Sequence, residues 1–261
     1  MTSSPPTVIA TFLQDHPGIK YATRTSADYP ALRANYSGNP ALPLIILRPQ
    51  TADDVAAIII YCVAQNLDFV VRVGGHDVCG RSTVQDAVTI DLRDIAHVQV
   101  SADKNTARIG GGILFSKLLE GLGTQGLITP VGTIGTVGYV GWATFGGYGP
   151  YSSSYGLGLD QIVGAKVVNA DGRLVDADAR MLKGIRGSGG NYGVIVELTI
   201  KVYPVQEVSL VNHSLCYQFL LIMSTTLHCL MHPTLEYNGH SYVVHERMLT
   251  FIVDPGRDGH L

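Results

Sequence analysis

The residues of this chain that could do chemistry start with one histidine. His76 directly follows Gly74 and Gly75. Adjacent glycines let the backbone take positive φ and let another molecule approach the main chain closely. Successive N–H groups in such a turn can form a concavity that binds anions. A histidine there would lie against whatever binds, although an isolated Gly-Gly-His is also what a tight turn with a surface imidazole looks like. Three other constellations compete. His213-x2-Cys216 and His228-x3-His232 imitate zinc-finger ligands, but the first pair is not the usual cysteine pair, and a histidine-rich tail is the expected reading. Gly187-Ser-Gly-Gly-Asn-Tyr-Gly193 suggests a dinucleotide loop. Its spacing is not G-x-G-x-x-G and it opens a strand instead of a helix, so the amide-and-dipole phosphate cradle is missing. Ser152, Ser153 and Ser154 sit in a glycine loop with no Gly-x-Ser-x-Gly and no partnered base in view.

The elements before His76 must position it. Residues 44–47 form a short apolar run closed by Pro49 and are expected as a strand. Thr51, with Asp53 and Asp54 behind it, offers a helix cap, and Val55, Ile58, Ile59 and Cys62 follow at helical spacing. Residues 67–71 are apolar and expected as a buried strand that runs into Arg72 and the glycine turn. The unit is β-α-β, and its second strand delivers His76.

Further on, residues 88–92 alternate like a strand, and 98–100 with 106–109 read as a hairpin around 102–105. Leu114, Leu118, Leu119 and Leu122 fall on one helical face. Residues 131–158 carry glycine at nearly every third place, a pattern foreign to helices and central strands. So much backbone freedom is expected where the main chain presses against something large. Residues 161–168 and 173–175 read as a hairpin through Asn169-Ala-Asp-Gly172, and a strand spans 194–202. Residues 1–39 look like an irregular lead-in with one short helix. Beyond Pro204 glycine thins, and six of the nine histidines gather in the last 57 residues. Residues 215–231 are apolar without clear period and marginal as a membrane span, because Gln218 and His228 interrupt them; at most a helix is expected.

The bulk properties narrow the class. A chain of 261 residues, 46% apolar, can bury a sizeable core in one large domain or two small ones. A net charge of −3 gives no basic surface for nucleic acid. Residues 1–6 lack a basic-then-apolar leader, and Cys62, Cys79, Cys216 and Cys229 show no C-x-x-C spacing, so reduced thiols in the cytoplasm are expected. Asn35-Tyr-Ser37 and Asn212-His-Ser214 fit the glycosylation pattern but carry no weight without secretion.

Five stretches taken together are more specific. They are Pro49-x-Thr51-x2-Asp54-Val55, Arg72-Val-Gly-Gly-His76-Asp77, Gly132-x3-Thr136-Val-Gly138-x2-Gly141, Gly146-Gly-Tyr-Gly149-x5-Tyr155-Gly156-Leu157-x2-Asp160 and Arg186-Gly-Ser-Gly-Gly-Asn191-x-Gly193. This set resembles the vanillyl-alcohol-oxidase type of flavoprotein, with its PCMH-type FAD-binding domain, and within it the berberine-bridge-enzyme-like oxidoreductases. The resemblance implies an α+β, two-subdomain fold over residues 40–204: a small β-α-β subdomain and a larger, mainly antiparallel sheet with helices. Residues 205–261 would then be an atypical tail, with the substrate domain largely missing.

The resemblance also implies the site. FAD would be bound by Arg72, Val73, Gly74, Gly75, His76, Asp77 and Ser82, and by Thr136, Val137, Gly138, Gly141, Gly147, Gly149, Asp160 and Ile195. His76 matches the histidine bonded to the flavin 8α carbon, residues 136–138 line the isoalloxazine, and Asp160 and Ile195 match positions near the ribose and adenine. Many relatives carry a second anchor, a cysteine, where Ile134 stands, so a mono-covalent flavin is implied. Cys79 is off that position and expected as a small buried residue. The implied activity is hydride transfer from an alcohol, amine or activated C–H to FAD, with oxygen taking the electrons; the small Val137 favours oxygen access. No general base can be named. The alternative is an FAD-binding module without activity of its own, needing a partner over the open flavin face.

Overall fold

The computed structural model describes residues 6–205, 209–212 and 250–253. The chain separates into two compact units, Met1–Tyr203 and Pro204–Leu261.

The first unit opens with α1 (Thr7–Asp15), which buries Ile9, Phe12 and Leu13, then β1 (Lys20–Thr23) and α2 (Tyr29–Arg33). Residues 6–39 thus hold two helices and a strand where one short helix was expected. The local signal is weak because β1 owes its form to a partner: Lys20 to Thr23 pair antiparallel with Arg48 to Ile45. Next come β2 (Ile45–Arg48), α3 (Ala52–Ala64), β3 (Phe69–Arg72) and β4 (Val88–Asp91). Thr51 Oγ1 accepts from Asp54 N–H and the Asp54 carboxylate accepts from Thr51 N–H, a reciprocal cap. Val55, Ile58, Ile59 and Cys62 form the buried face of α3, as their spacing predicts.

These strands make a sheet of order β1-β2-β4-β3, with β2, β4 and β3 parallel. The β-α-β unit therefore has β4 inserted between its two strands. All four residues of β4 are buried, because a central parallel strand is covered on both faces, so the alternation at 88–92 does not become half-burial. β3 corrects the expected buried strand at 67–71. It is an edge strand, Val71 is 36% exposed, and its one buried residue is Arg72.

A single 3-10 turn (Leu92–Asp94) leads to β5 (Val98–Val100), β6 (Thr106–Gly110), α4 (Phe115–Gly123) and β7 (Leu127–Ile128). The glycine-rich stretch then forms α5 (Tyr139–Thr144), α6 (Ser152–Tyr155) and α7 (Gly158–Gln161), three short helices that the glycine count argued against. β8 (Ile162–Val168), β9 (Leu174–Asp176), α8 (Ala179–Ser188), β10 (Val194–Lys201) and β11 (Tyr203–Pro204) complete the order. The larger sheet, β5-β6-β10-β8-β9, is antiparallel throughout, and β7 pairs with β11. The buried face of α4 is Phe115, Leu118 and Leu122, while Leu119 is exposed. α8 was not foreseen, although Asp178 caps it by accepting from Met181 N–H at 2.7 Å and Ile185 anchors it.

Two cores result. One gathers Ile109, Phe115, Leu118, Tyr139 and Leu198 under the larger sheet. The other gathers α1, α3 and the smaller sheet, and takes Val168, Val194 and Val196 from the larger one, which joins the subdomains. The architecture is α+β.

In the second unit β12 (Ser209–Asn212) pairs antiparallel with β13 (Thr250–Val253). Residues 215–231 and the four candidate zinc ligands lie outside the described residues. Among the described residues no helix is long and apolar enough to cross a membrane, and no group of three or more His, Cys, Asp or Glu could hold a metal. Cys62 is buried, but Cys79 is exposed in the loop after the glycine turn, against the expectation of a small buried residue.

Candidate functional site

The site begins where β3 ends. Gly75 has φ +71, and a Cβ there would lie 2.4 Å from the Arg72 guanidinium, so backbone sign and space both demand glycine. Arg72 is 3% exposed. Its Nη1 donates to Arg33 O at 3.2 Å and its Nη2 to Ala34 O, while its Nε is buried without a partner. Burial, reinforced by the charge of Arg93, lowers its pKa to about 10, which leaves it a cation at neutral pH. Arg93 is held by buried Asp91, with Nε 2.9 Å from Oδ1, and donates Nη2 to Leu32 O at 3.3 Å. The carbonyls of Leu32, Arg33 and the following Ala34, at the C-terminus of α2, thus receive guanidinium donors, the charge that a helix C-terminus favours.

The opposite wall comes from the segment before α5. Ser116 N–H donates to Gly135 O, Phe115 N–H to Val137 O and Tyr139 N–H to Ile113 O, each at 3.0 Å. This straps residues 135–138 to the start of α4. The strapped segment and the glycine turn meet backbone to backbone: a Cβ on Gly74 would lie 2.3 Å from Thr136 O, and one on Gly138 would lie 2.6 Å from Val73 Cγ1. That approach brings Thr136 Oγ1 within 2.9 Å of His76 Nε2. Tyr36 stacks against the same imidazole, with ring centroids 5.3 Å apart and planes 21° apart. Burial, then the charge of Arg72, depresses the pKa of His76, so the ring is neutral at pH 7.

An open cavity of about 290 Å³ lies between these walls, lined by Ala34, Asn35, Tyr36, Arg72, Gly74, His76, Arg93, Leu114 and Thr136. Arg72, Gly74, His76 and Thr136 were expected at the site. The other expected residues stand outside this lining. Val73 packs on Gly138 and Gly75 covers the Arg72 guanidinium. The Asp77 carboxylate is 2.8 Å from Arg81, which holds it below the usual carboxylate range. Ser82 is half-buried in the next loop, and Val137 packs against the larger core. Gly141 is exposed on α5 with nothing within 4 Å of a Cβ. Gly147 and Gly149 press on Gly158 and on Val131 O. Asp160 is exposed and accepts from Leu157 N–H at 2.8 Å, and Ile195 is buried in β10.

Ala34, Asn35, Tyr36 and Arg93 carry no expectation of a site role, and Leu114, expected on the face of α4, stands at that helix's N-terminus and lines the cavity. Asn35 and Tyr36 stand in a motif weighed only as a glycosylation site, and nothing local marks Arg93. The glycine-rich stretch also needs correction. Gly132 abuts Phe115, Gly147 and Gly158 abut Trp142, and Gly149 abuts a backbone carbonyl, so much of that glycine serves packing within the protein.

The donor set of the cavity suits an anion bearing aromatic rings. Two guanidinium groups, an imidazole and the hydroxyls of Tyr36 and Thr136 line it, and among the described residues no carboxylate does. Its volume is at the small end for ligand pockets, enough for part of a dinucleotide. Comparison with known proteins agrees. Residues 43–178 match the family described as FAD binding domain. FAD-linked oxidoreductase aurO of Gibberella zeae is 46% identical over 195 residues, 74% of this chain and 38% of that protein. (R)-6-hydroxynicotine oxidase of Paenarthrobacter nicotinovorans is 33% identical over 167 residues, 62% of this chain and 36% of that protein. The solved structure of BBE-like 1 from Physcomitrella patens has a TM-score of 0.72 at 26% identity, covering 78% of this chain and 46% of that one. The chain thus spans less than half the length of each of these relatives. With the matched segment supplying Arg72, Gly74, His76, Arg93, Leu114 and Thr136 of the lining, the chain belongs to the FAD binding domain family, of the vanillyl-alcohol-oxidase and berberine-bridge-enzyme-like kind.

Proposed function

We propose that the chain holds FAD at His76 and serves an oxidoreductase that takes a hydride from an alcohol, an amine or an activated C–H and passes the electrons to oxygen. The observation that carries this reading is the imidazole itself. It is hydrogen-bonded at Nε2 to Thr136 and faces a cavity that Arg72 also lines, in an FAD binding domain. We take His76 as the single covalent anchor, since Ile134 offers no thiol in the neighbouring loop. A covalent link there would replace one imidazole N–H and one flavin methyl C–H with an N–C bond, with oxygen as the acceptor of the two electrons and two protons.

Bound FAD supplies the hydride-accepting ring. The chain's own residues orient and neutralise. The charges of Arg72 and Arg93 exceed that of Asp91, which pairs with Arg93, so one net positive charge beside the cavity favours phosphate. Thr136 fixes the imidazole at Nε2, and burial keeps that ring uncharged and able to form a bond. The absence of a carboxylate from the lining, among the described residues, supports a second reading, an FAD-holding module whose turnover needs a further polypeptide to bring a base and cover the ring.

The test is spectroscopic. Purified chain should show flavin absorbance, and a fluorescent band should survive denaturing electrophoresis in wild type and vanish in His76→Ala. A band that persists in the variant overturns the anchor. Peroxide release with a panel of alcohols and amines separates the two readings: flavin without turnover supports the module, and folded, colourless protein after incubation with FAD defeats both.

A further inference from the structure

We propose that Tyr36 is the positioning residue of the His76 imidazole, a role that rests on the reading of His76 as the FAD anchor. Tyr36 precedes the family-matched residues 43–178, yet Ala34, Asn35 and Tyr36 supply one wall of the cavity. That wall is fixed in place. Arg72 and Arg93 hold the α2 carbonyls beneath it. Asn35 Nδ2 donates to Asn39 O at 3.1 Å, and Asn39 Nδ2 donates in turn to Gly80 O and Thr83 O at 3.1 and 2.9 Å. Tyr36 N–H donates to Gly75 O at 2.9 Å, which ties the tyrosine to the turn that carries His76.

A core role does not account for this side chain, because Tyr36 is 66% exposed. The ring contact it makes is with the imidazole, near parallel at 5.3 Å. Thr136 holds one edge of the imidazole and Tyr36 covers one face, so the ring has lost its freedom to turn before any ligand arrives. Bond formation from a ring already held avoids the orientational cost of arresting a free one.

The experiment uses the full chain prepared free of flavin, as wild type, Tyr36→Phe and Tyr36→Leu. In the flavin-free proteins, the His76 ring-proton shifts read the stack directly. Tyr36→Phe should keep the upfield shift of wild type and Tyr36→Leu should lose it. On mixing with FAD, covalent incorporation should proceed at the wild-type rate in the Phe variant and about tenfold slower in the Leu variant. Tyr36 also lines the cavity, so the rates are compared at saturating FAD, where a change in non-covalent affinity does not enter them. Leu incorporation at the wild-type rate overturns the proposal, and so does an unchanged imidazole shift. Slowing in the Leu variant that disappears once FAD saturates makes Tyr36 a binding residue and also overturns it. If wild type binds FAD without forming an adduct, the anchor reading fails, and the imidazole shifts still decide whether Tyr36 holds the ring.

Discussion

Two glycine-rich regions of this chain look alike on paper and do different work. In the turn at Gly74 and Gly75, glycine lets one backbone meet another so that a histidine stands at the mouth of an open cavity. Across residues 131–158, Gly132, Gly147, Gly149 and Gly158 let the chain pack against Phe115, Trp142 and its own carbonyls, while a Cβ on Gly141 or Gly146 would meet nothing. The turn is built toward a site. The longer stretch is mostly folded onto protein, and only a few of its positions remain open to a ligand. A missing side chain says that something comes close, and only neighbours say what.

The sharpest way to break this contrast is Gly149→Ala. The new methyl would lie 2.0 Å from Val131 O, a backbone atom that cannot swing aside. Chemical denaturation should show a loss of about 3 kcal/mol, the upper range for overpacking. A variant as stable as wild type would mean that this segment is looser than described and would return its glycines to the ligand. Arg72→Met is the next largest. It removes the donors to Arg33 O and Ala34 O beneath the cavity wall, at about 2 kcal/mol for buried acceptors left unmet. Covalent FAD should fall along with stability, because the wall carrying Tyr36 loosens. Unfolding and gel fluorescence measured on one preparation check both.

How much of this was legible follows from how local each feature is. The Thr51 and Asp54 cap, the buried face at Val55, Ile58, Ile59 and Cys62, and the glycine turn before His76 involve residues within one or two turns of each other, and their spacing states them. β1 and the burial of Arg72 depend on partners some 25 to 40 residues away, Arg48 for one and the α2 carbonyls for the other. Tyr36 and Arg93 reach the cavity only when α2 and the 3-10 turn are brought beside β3. No period or motif encodes that meeting. The open cavity itself was legible only through the joint motif pattern, since no single stretch of it is distinctive.

Gly141→Ala sharpens the contrast from the other side. Gly141 lies inside α5, is exposed, and has room for a methyl. Alanine there should stabilise the chain by about 0.5 to 1 kcal/mol through helix propensity. If the open glycines of this stretch are the ones that admit FAD, the same variant should bind FAD more weakly while unfolding later. Affinity unchanged in a stabilised variant would leave the His76 turn as the ligand-facing glycine site.

The smallest effect is a pH dependence. Folded His76 titrates below its ordinary value of 6.5 because burial, then Arg72, disfavours its charged form. The unfolded chain therefore binds the proton first as pH falls, so this residue costs the fold nothing well above 6.5 and draws stability down as pH drops through that value. His76→Gln removes the titration. Between about pH 7 and pH 5 the variant should lose less stability than wild type, read as converging denaturation midpoints. Midpoints that fall in parallel would mean that the imidazole is as well solvated folded as unfolded. The neutral, held ring that distinguishes this turn from the packed glycines of the longer stretch would then be lost.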